Sequence, residues 1–73
     1  MKRAEGRFLA GLRQVKRKGH RRRWCNTRGQ IFEEDTQHGE LEKYNERGRH
    51  EGAVDPATGE VIKEAVKGRR TGV

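Results

Sequence analysis

The densest concentration of reactive side chains is one uninterrupted run, Glu33-Glu34-Asp35-Thr36-Gln37-His38-Gly39-Glu40-Leu41-Glu42. A histidine set among carboxylates supplies what metal-free cleavage of RNA requires. A general base must take the proton from a ribose 2′-hydroxyl, and a general acid must give one to the departing 5′-oxygen. Imidazole titrates near neutrality, and carboxylates crowded against one another are raised toward the same range. Charge also builds on phosphorus in such a reaction, and Arg69 and Arg70 are cations suited to meet it. The rival reading of this run is a solvated charged face that performs no chemistry.

These groups act together only if the backbone gathers them. If residues 40–44 form a strand, Glu40, Glu42 and Tyr44 share one side, with alternate residues about 6.8 Å apart. His38 then lies in the turn just before them and Asp35 at the end of the preceding strand. A hairpin therefore collects Asp35, His38, Glu40 and Glu42 on one surface. Short runs at 22–25, 30–34, 40–44, 50–54 and 60–63 alternate with turns at Asn26-Thr27-Arg28-Gly29, Arg47-Gly48 and Asp55-Pro56-Ala57-Thr58-Gly59. Runs of this length and spacing predict an antiparallel meander. The composition of residues 40–47 also suits a helix. Ahead of the strands, Phe8, Leu12 and Val15 fall at helical spacing with Ala4 and Leu9 beside them, which predicts one short amphipathic helix within residues 3–18. Gly19 is placed to end it, and the basic residues Lys16, Arg17 and Lys18 suit a helix C-terminus. The expected organisation is a basic helical segment over residues 1–20, a sheet domain over 21–66 and a basic tail over 67–73. The fold class is thus α+β, mainly β.

Composition narrows the function further. The chain has 73 residues, 29% hydrophobic and 40% charged, with a formal net charge of +7. That length argues for one domain with a thin core. Cys25 has no second cysteine to pair with, and the paired Cys and His ligands of a structural zinc site are missing. No stretch approaches the ~20 apolar residues of a membrane span, and the N-terminal residues do not read as a signal peptide. The expectation is a soluble, cytoplasmic protein without a cofactor or a metal, and without a membrane partner. Charge is uneven: residues 1–29 carry 11 basic residues against one acid, residues 30–66 carry 4 against 10, and residues 67–73 add three more cations. An electrostatic nucleic-acid binder gains nothing from acids at its centre, which repel phosphate. Basic ends around an acidic, His-bearing middle suggest that the ends hold a polyanion while the middle acts on it. Arg21, Arg22, Arg23 and Lys67 are the candidate phosphate contacts. Trp24 and Phe32 read as core, Cys25 as packed, and His50 as a support of the sheet or an RNA contact.

Residues 21–67 resemble the cytotoxic ribonuclease domain of the ribosome-inactivating colicins and cloacin. The resemblance rests on the basic run ending in Trp24, on Ile31-Phe32-Glu33, and above all on Asp35-Thr36-Gln37-His38-Gly39-Glu40-Leu41-Glu42. Tyr44, the Gly- and His-containing segment 48–52 and the Asp55-Pro56-Ala57-Thr58-Gly59 turn follow at nearly the family spacing. The resemblance implies a short N-terminal helical part, a strongly twisted antiparallel sheet and an active site on one sheet face. It places the family's catalytic Asp, His and Glu on Asp35, His38 and Glu42, a further functional Glu on Glu40, and a catalytic Arg on Arg69 or Arg70. By analogy Glu42 is the base, His38 the acid, and Asp35 orients His38. The implied target is small-subunit (16S) ribosomal RNA at the decoding site, the implied partners are the ribosome and an acidic immunity protein or antitoxin, and no cofactor is implied.

The chain also departs from the family pattern. Glu34 stands where the family has an aromatic residue, the loops near Asn26 and Arg47 are each about a residue shorter, and the N-terminal helix has no counterpart. The expectation is a free-standing toxin domain or a fragment of a larger delivered toxin. The alternatives are a non-enzymatic RNA- or ribosome-binding protein on the same scaffold and a DNA-binding helix module, the latter disfavoured by the central acids.

Overall fold

A computed structural model describes residues 1–72, with Lys18 described by its backbone alone. One helical turn, α1 (Arg7–Ala10), is followed by the strands β1 (Arg13–Lys18), β2 (Arg21–Cys25), β3 (Ile31–Asp35), β4 (Glu40–Tyr44), β5 (His50–Val54) and β6 (Val61–Lys63). They form one six-stranded sheet in sequence order, with each neighbouring pair antiparallel. The expected meander is present, and residues 40–44 are a strand and not a helix. Register shifts in the β1–β2, β4–β5 and β5–β6 pairs mark irregularities of the kind that bend and twist a sheet.

The expected helix over residues 3–18 is corrected: only Arg7–Ala10 is helical, and residues 13–18 are a sheet-edge strand. Val15 lies opposite Arg23 and Gln14 opposite Trp24, and Gly19, at φ 61, makes the β1–β2 turn instead of ending a helix. The physical cause is the run after Val15. Residues 16–18 bring no further apolar residue to a helical stripe, whereas pairing with β2 satisfies the backbone and leaves the Lys16 and Arg17 side chains exposed. Residue 20, drawn as a domain boundary, falls in the turn of this hairpin, and β1 is continuous with the sheet.

Residues directly opposite one another in an antiparallel sheet share a face. One face carries Trp24, Phe32, Leu41 and Val54, closed over by Ala4 and Leu9 with Phe8 and Leu12 packed against them. Phe8 meets Phe32 edge to face at 5.5 Å between ring centroids. The helical turn is anchored by its amides: Phe8 N–H donates to the Ala57 carbonyl and Leu9 N–H to that of Pro56. Gly59 closes that turn at φ 80, and a Cβ there would come within 2.6 Å of the Phe8 ring, so glycine is required twice over. The opposite face carries a row of directly paired residues, Arg23, Glu33, Glu42 and Ala53, crossing four strands. Covering one face with the N-terminal segment leaves the other uncovered by it.

Candidate active site

The β3–β4 hairpin sets the first half of the site. Asp35 ends β3, and its Oδ1 accepts the backbone N–H groups of Gln37 at 3.0 Å and His38 at 3.2 Å. Such an Asx-type turn fixes the loop locally. Gly39, at φ 69, then turns the chain into β4, with its N–H donating to the Asp35 carbonyl. His38 Nδ1 lies 2.9 Å from Asp35 Oδ2. Burial works to raise the Asp35 pKa, but the bonds from the His38 ring and from the two amides outweigh it and hold the group below the usual carboxylate range. An ionised Asp35 makes Nδ1–H the donor, which leaves Nε2 as the ring atom able to exchange a proton.

The second half is Glu42. Its Oε2 is 2.7 Å from His50 Nε2, and its Oε1 accepts from an Arg69 guanidinium nitrogen at 3.2 Å. The tautomer of His50 follows from its other contact. Nδ1 accepts the Val66 N–H at 2.8 Å, so Nε2 carries the hydrogen that points at Glu42. The His50 side chain is 1% exposed and packs edge to face on Tyr44. Burial lifts the Tyr44 hydroxyl above its ordinary pKa, and the nearby Glu33 and Glu42 charges push it the same way, so it stands as a neutral donor beside the carboxylates.

One cleft of about 640 Å³ brings these groups together; Asp35, His38, Glu42, Tyr44, Arg69 and Arg70 are among its lining residues. Arg21 borders it as well, with its side chain 58% exposed and 4.0 Å from Glu33. Glu40 lies directly opposite Asp35 and pairs with Lys63 at 2.9 Å, so it borders the His38 turn and not the cleft. Asp35, His38 and Glu40 offer ligand atoms that all lie within 4.8 Å of one another, a group among the described residues that could hold a cation.

The remaining expected phosphate contacts are placed differently. Arg22 lies on the packed face. It binds Glu34 through two nitrogens, at 2.6 and 3.1 Å, donates to the Ala4 carbonyl and stacks over Trp24 at 4.9 Å. Glu34 also accepts the Ala4 N–H, and the Arg22 hydrogen bonds hold its pKa down against the opposing effect of burial. Arg23 is 16% exposed, is paired with the buried Glu33, and donates to the Gly72 carbonyl. Both arginines are tied inside the fold. This corrects the expectation that Arg21, Arg22 and Arg23 grip phosphate as a set: Arg21 is the one of the three that reaches solvent. Lys67 is exposed but lines a neighbouring concavity with Arg49 and Val66. The structure also separates Arg69 from Arg70: the Arg69 guanidinium reaches Glu42, while Arg70 pairs its backbone with Arg49 and lines the cleft.

Sequence reasoning placed Glu33 and Glu34 in the reactive run without giving either a role, left His50 as a support of the sheet or an RNA contact, and did not single out Thr71. A signal existed for the first two. In a hairpin, Arg22-Arg23 facing Glu33-Glu34 puts one opposite-charge pair on each side of the sheet. Nothing local marked Thr71.

Against known proteins, residues 10–72 match the model of the family described as Cytotoxic. Colicin E3 and cloacin, both of Escherichia coli, are each 49% identical to this chain over 47 residues, which is 62% of the chain. The matched part is 8% of the length of each of these relatives.

Proposed function

This chain belongs to the Cytotoxic family, and from that premise we propose that it is an endoribonuclease toxin that cuts small-subunit ribosomal RNA at the decoding site and stops translation. The observation that carries the proposal is the pairing of a His–Asp dyad and a doubly bonded glutamate across one cleft, with a guanidinium on the glutamate. Glu42 takes the proton from the 2′-hydroxyl, and that oxygen attacks the adjacent phosphorus. His38, oriented by Asp35, gives a proton to the leaving 5′-oxygen. Arg69 lies where it can exchange part of its contact with Glu42 for one with the non-bridging oxygens as their charge grows. The products are a 2′,3′-cyclic phosphate and a 5′-hydroxyl. Acid, base and cation are all side chains, so the reaction proceeds without a metal ion.

Arg21 and Arg70 border the cleft as contacts for flanking phosphates, which makes RNA binding salt-sensitive. The site of action is the cytoplasm, where the ribosomes are. A producing cell needs an acidic inhibitor, because a surface of net charge +7 favours fast, steered capture by a negatively charged protein.

The test is incubation of ribosomes with the chain in excess EDTA, followed by mapping of new 16S RNA ends. A single new end carrying a cyclic phosphate is expected. Cleavage restored only by added divalent metal turns Asp35, His38 and Glu40 into a metal site, and intact RNA on ribosomes that retain the chain turns the protein into a binder.

A further inference from the structure

Glu33 is a carboxylate 3% exposed to solvent, and the mechanism above gives it no part. A charge buried that deeply is costly unless its lone pairs are met, and an apolar pair of the same volume is often the more stable choice. Its partners are specific. Arg23 lies 3.4 Å away, Arg21 4.0 Å away, and the Thr71 hydroxyl donates to Oε2. Arg23 also donates to the Gly72 carbonyl and approaches Thr71 Oγ1 at 3.5 Å. Three residues from β2, β3 and the segment after β6 therefore close on one another over the open face of the sheet.

That segment, residues 64–72, carries Arg69 between two anchorages. Upstream, Val66 N–H binds His50 Nδ1. Downstream, Thr71 N–H binds the Gly48 carbonyl at 2.9 Å while its hydroxyl binds Glu33. Glu33 lies directly opposite Glu42 on the neighbouring strand. Opposed side chains in such a pair start about 5 Å apart. A segment fastened on Glu33 is thereby held beside Glu42.

We propose that Glu33, Arg23 and Thr71 form a positioning clasp that fastens residues 64–72 to the sheet so that the Arg69 guanidinium reaches Glu42. The kinetic side of this inference rests on the ribonuclease reading; the structural side does not. A clasp made of directional bonds fixes one register of the segment, which an apolar contact of equal size would leave free to slide.

The test uses Thr71→Val, which keeps the shape and removes the hydroxyl, and Thr71→Ser, which restores it. In the wild-type chain, labelled with nitrogen-15, Glu42→Gln shifts the Arg69 Nε–H resonance, because the two side chains touch. In the Thr71→Val background that response is lost, and Thr71→Ser recovers it. In cleavage assays Thr71→Val lowers kcat about tenfold, as a displaced charge-stabilising group does, with KM nearly unchanged. Combined with Arg69→Ala it adds no further loss, because the group it positions is already gone. If Thr71→Val proves poorly folded, Arg23→Lys keeps the charge on Glu33, loses the reach to Gly72, and carries the same expected signature. A resonance that still responds to Glu42→Gln overturns the clasp, as do kcat losses that multiply with Arg69→Ala. Wild-type chain that leaves RNA intact refutes the ribonuclease reading instead, and the resonance still decides the clasp.

Discussion

Arg22 and Arg23 are neighbours in sequence, as are Glu33 and Glu34, yet their pairs serve opposite faces of one sheet. Arg22–Glu34 binds Ala4 at both its N–H and its carbonyl, and so fastens the N-terminal segment over the apolar side. Arg23–Glu33 binds Thr71 and Gly72, and so fastens the later segment over the reactive side. The same two residue types, one position apart, close the core in one case and border the cleft of Asp35, His38 and Glu42 in the other. Parity along a strand, and not residue type, decides which a charge does. Glu34 holds its place on the packed face through an ion pair with Arg22, whose guanidinium stacks over Trp24.

The comparison breaks most sharply at the chemistry of the open face. His38→Ala and Glu42→Gln should each lower cleavage by ~10²-fold or more, the scale of a lost general acid or base. Melting curves of both variants should stay close to wild type, and full cleavage by either variant moves the chemistry elsewhere. On the packed face the effects are reversed. Glu34→Gln leaves the Arg22 charge half-buried without its partner and should cost about 2 kcal/mol, read from chemical denaturation. Activity per folded molecule should hold, and a large fall in kcat for Glu34→Gln means that the faces are not separate.

Acid sharpens the contrast further. Glu34 is held below its ordinary value of 4.5, and Asp35 below 3.8. A carboxylate with a depressed folded pKa binds fewer protons in the folded chain than in the unfolded one, so its stabilisation is present above the ordinary value and is lost as pH falls through the folded one. Melting temperature should therefore decline below about pH 4.5, more shallowly in Glu34→Gln. An unchanged acid limb in that variant removes Glu34 from the account.

The smallest effect concerns the outermost arginine. Arg21→Gln should reduce the slope of log K against log salt by about 0.7–0.9, one phosphate contact, with kcat unchanged at saturation. Equal slope changes for Arg21→Gln and Arg22→Gln would contradict the placement of Arg22 inside the fold.

Much of this architecture was readable from local chemistry. The Asp55–Gly59 turn announced itself through Pro56 and Gly59, and the run from Asp35 to Glu42 collects its groups within one hairpin, where strand alternation suffices to place them. Residues 13–18 were misread because Phe8, Leu12 and Val15 keep a helical period that pairing with β2 overrides. The arginine run was misread because three like charges in a row conceal that successive members point to opposite sides. The approach of Arg69 to Glu42 had no local signature, since it depends on a segment without periodicity folding back across two strands.

The strand order has a consequence in time. Every strand pairs with the one before it, so each can dock as soon as it leaves a ribosome, and short-range pairing of this kind favours rapid folding. Arg69 and Thr71 lie beyond all six strands. A growing chain that has already laid down its sheet still lacks the guanidinium on Glu42 and the clasp that sets it there. On the proposed ribonuclease reading, the site is therefore complete only once residues 64–72 have joined the sheet.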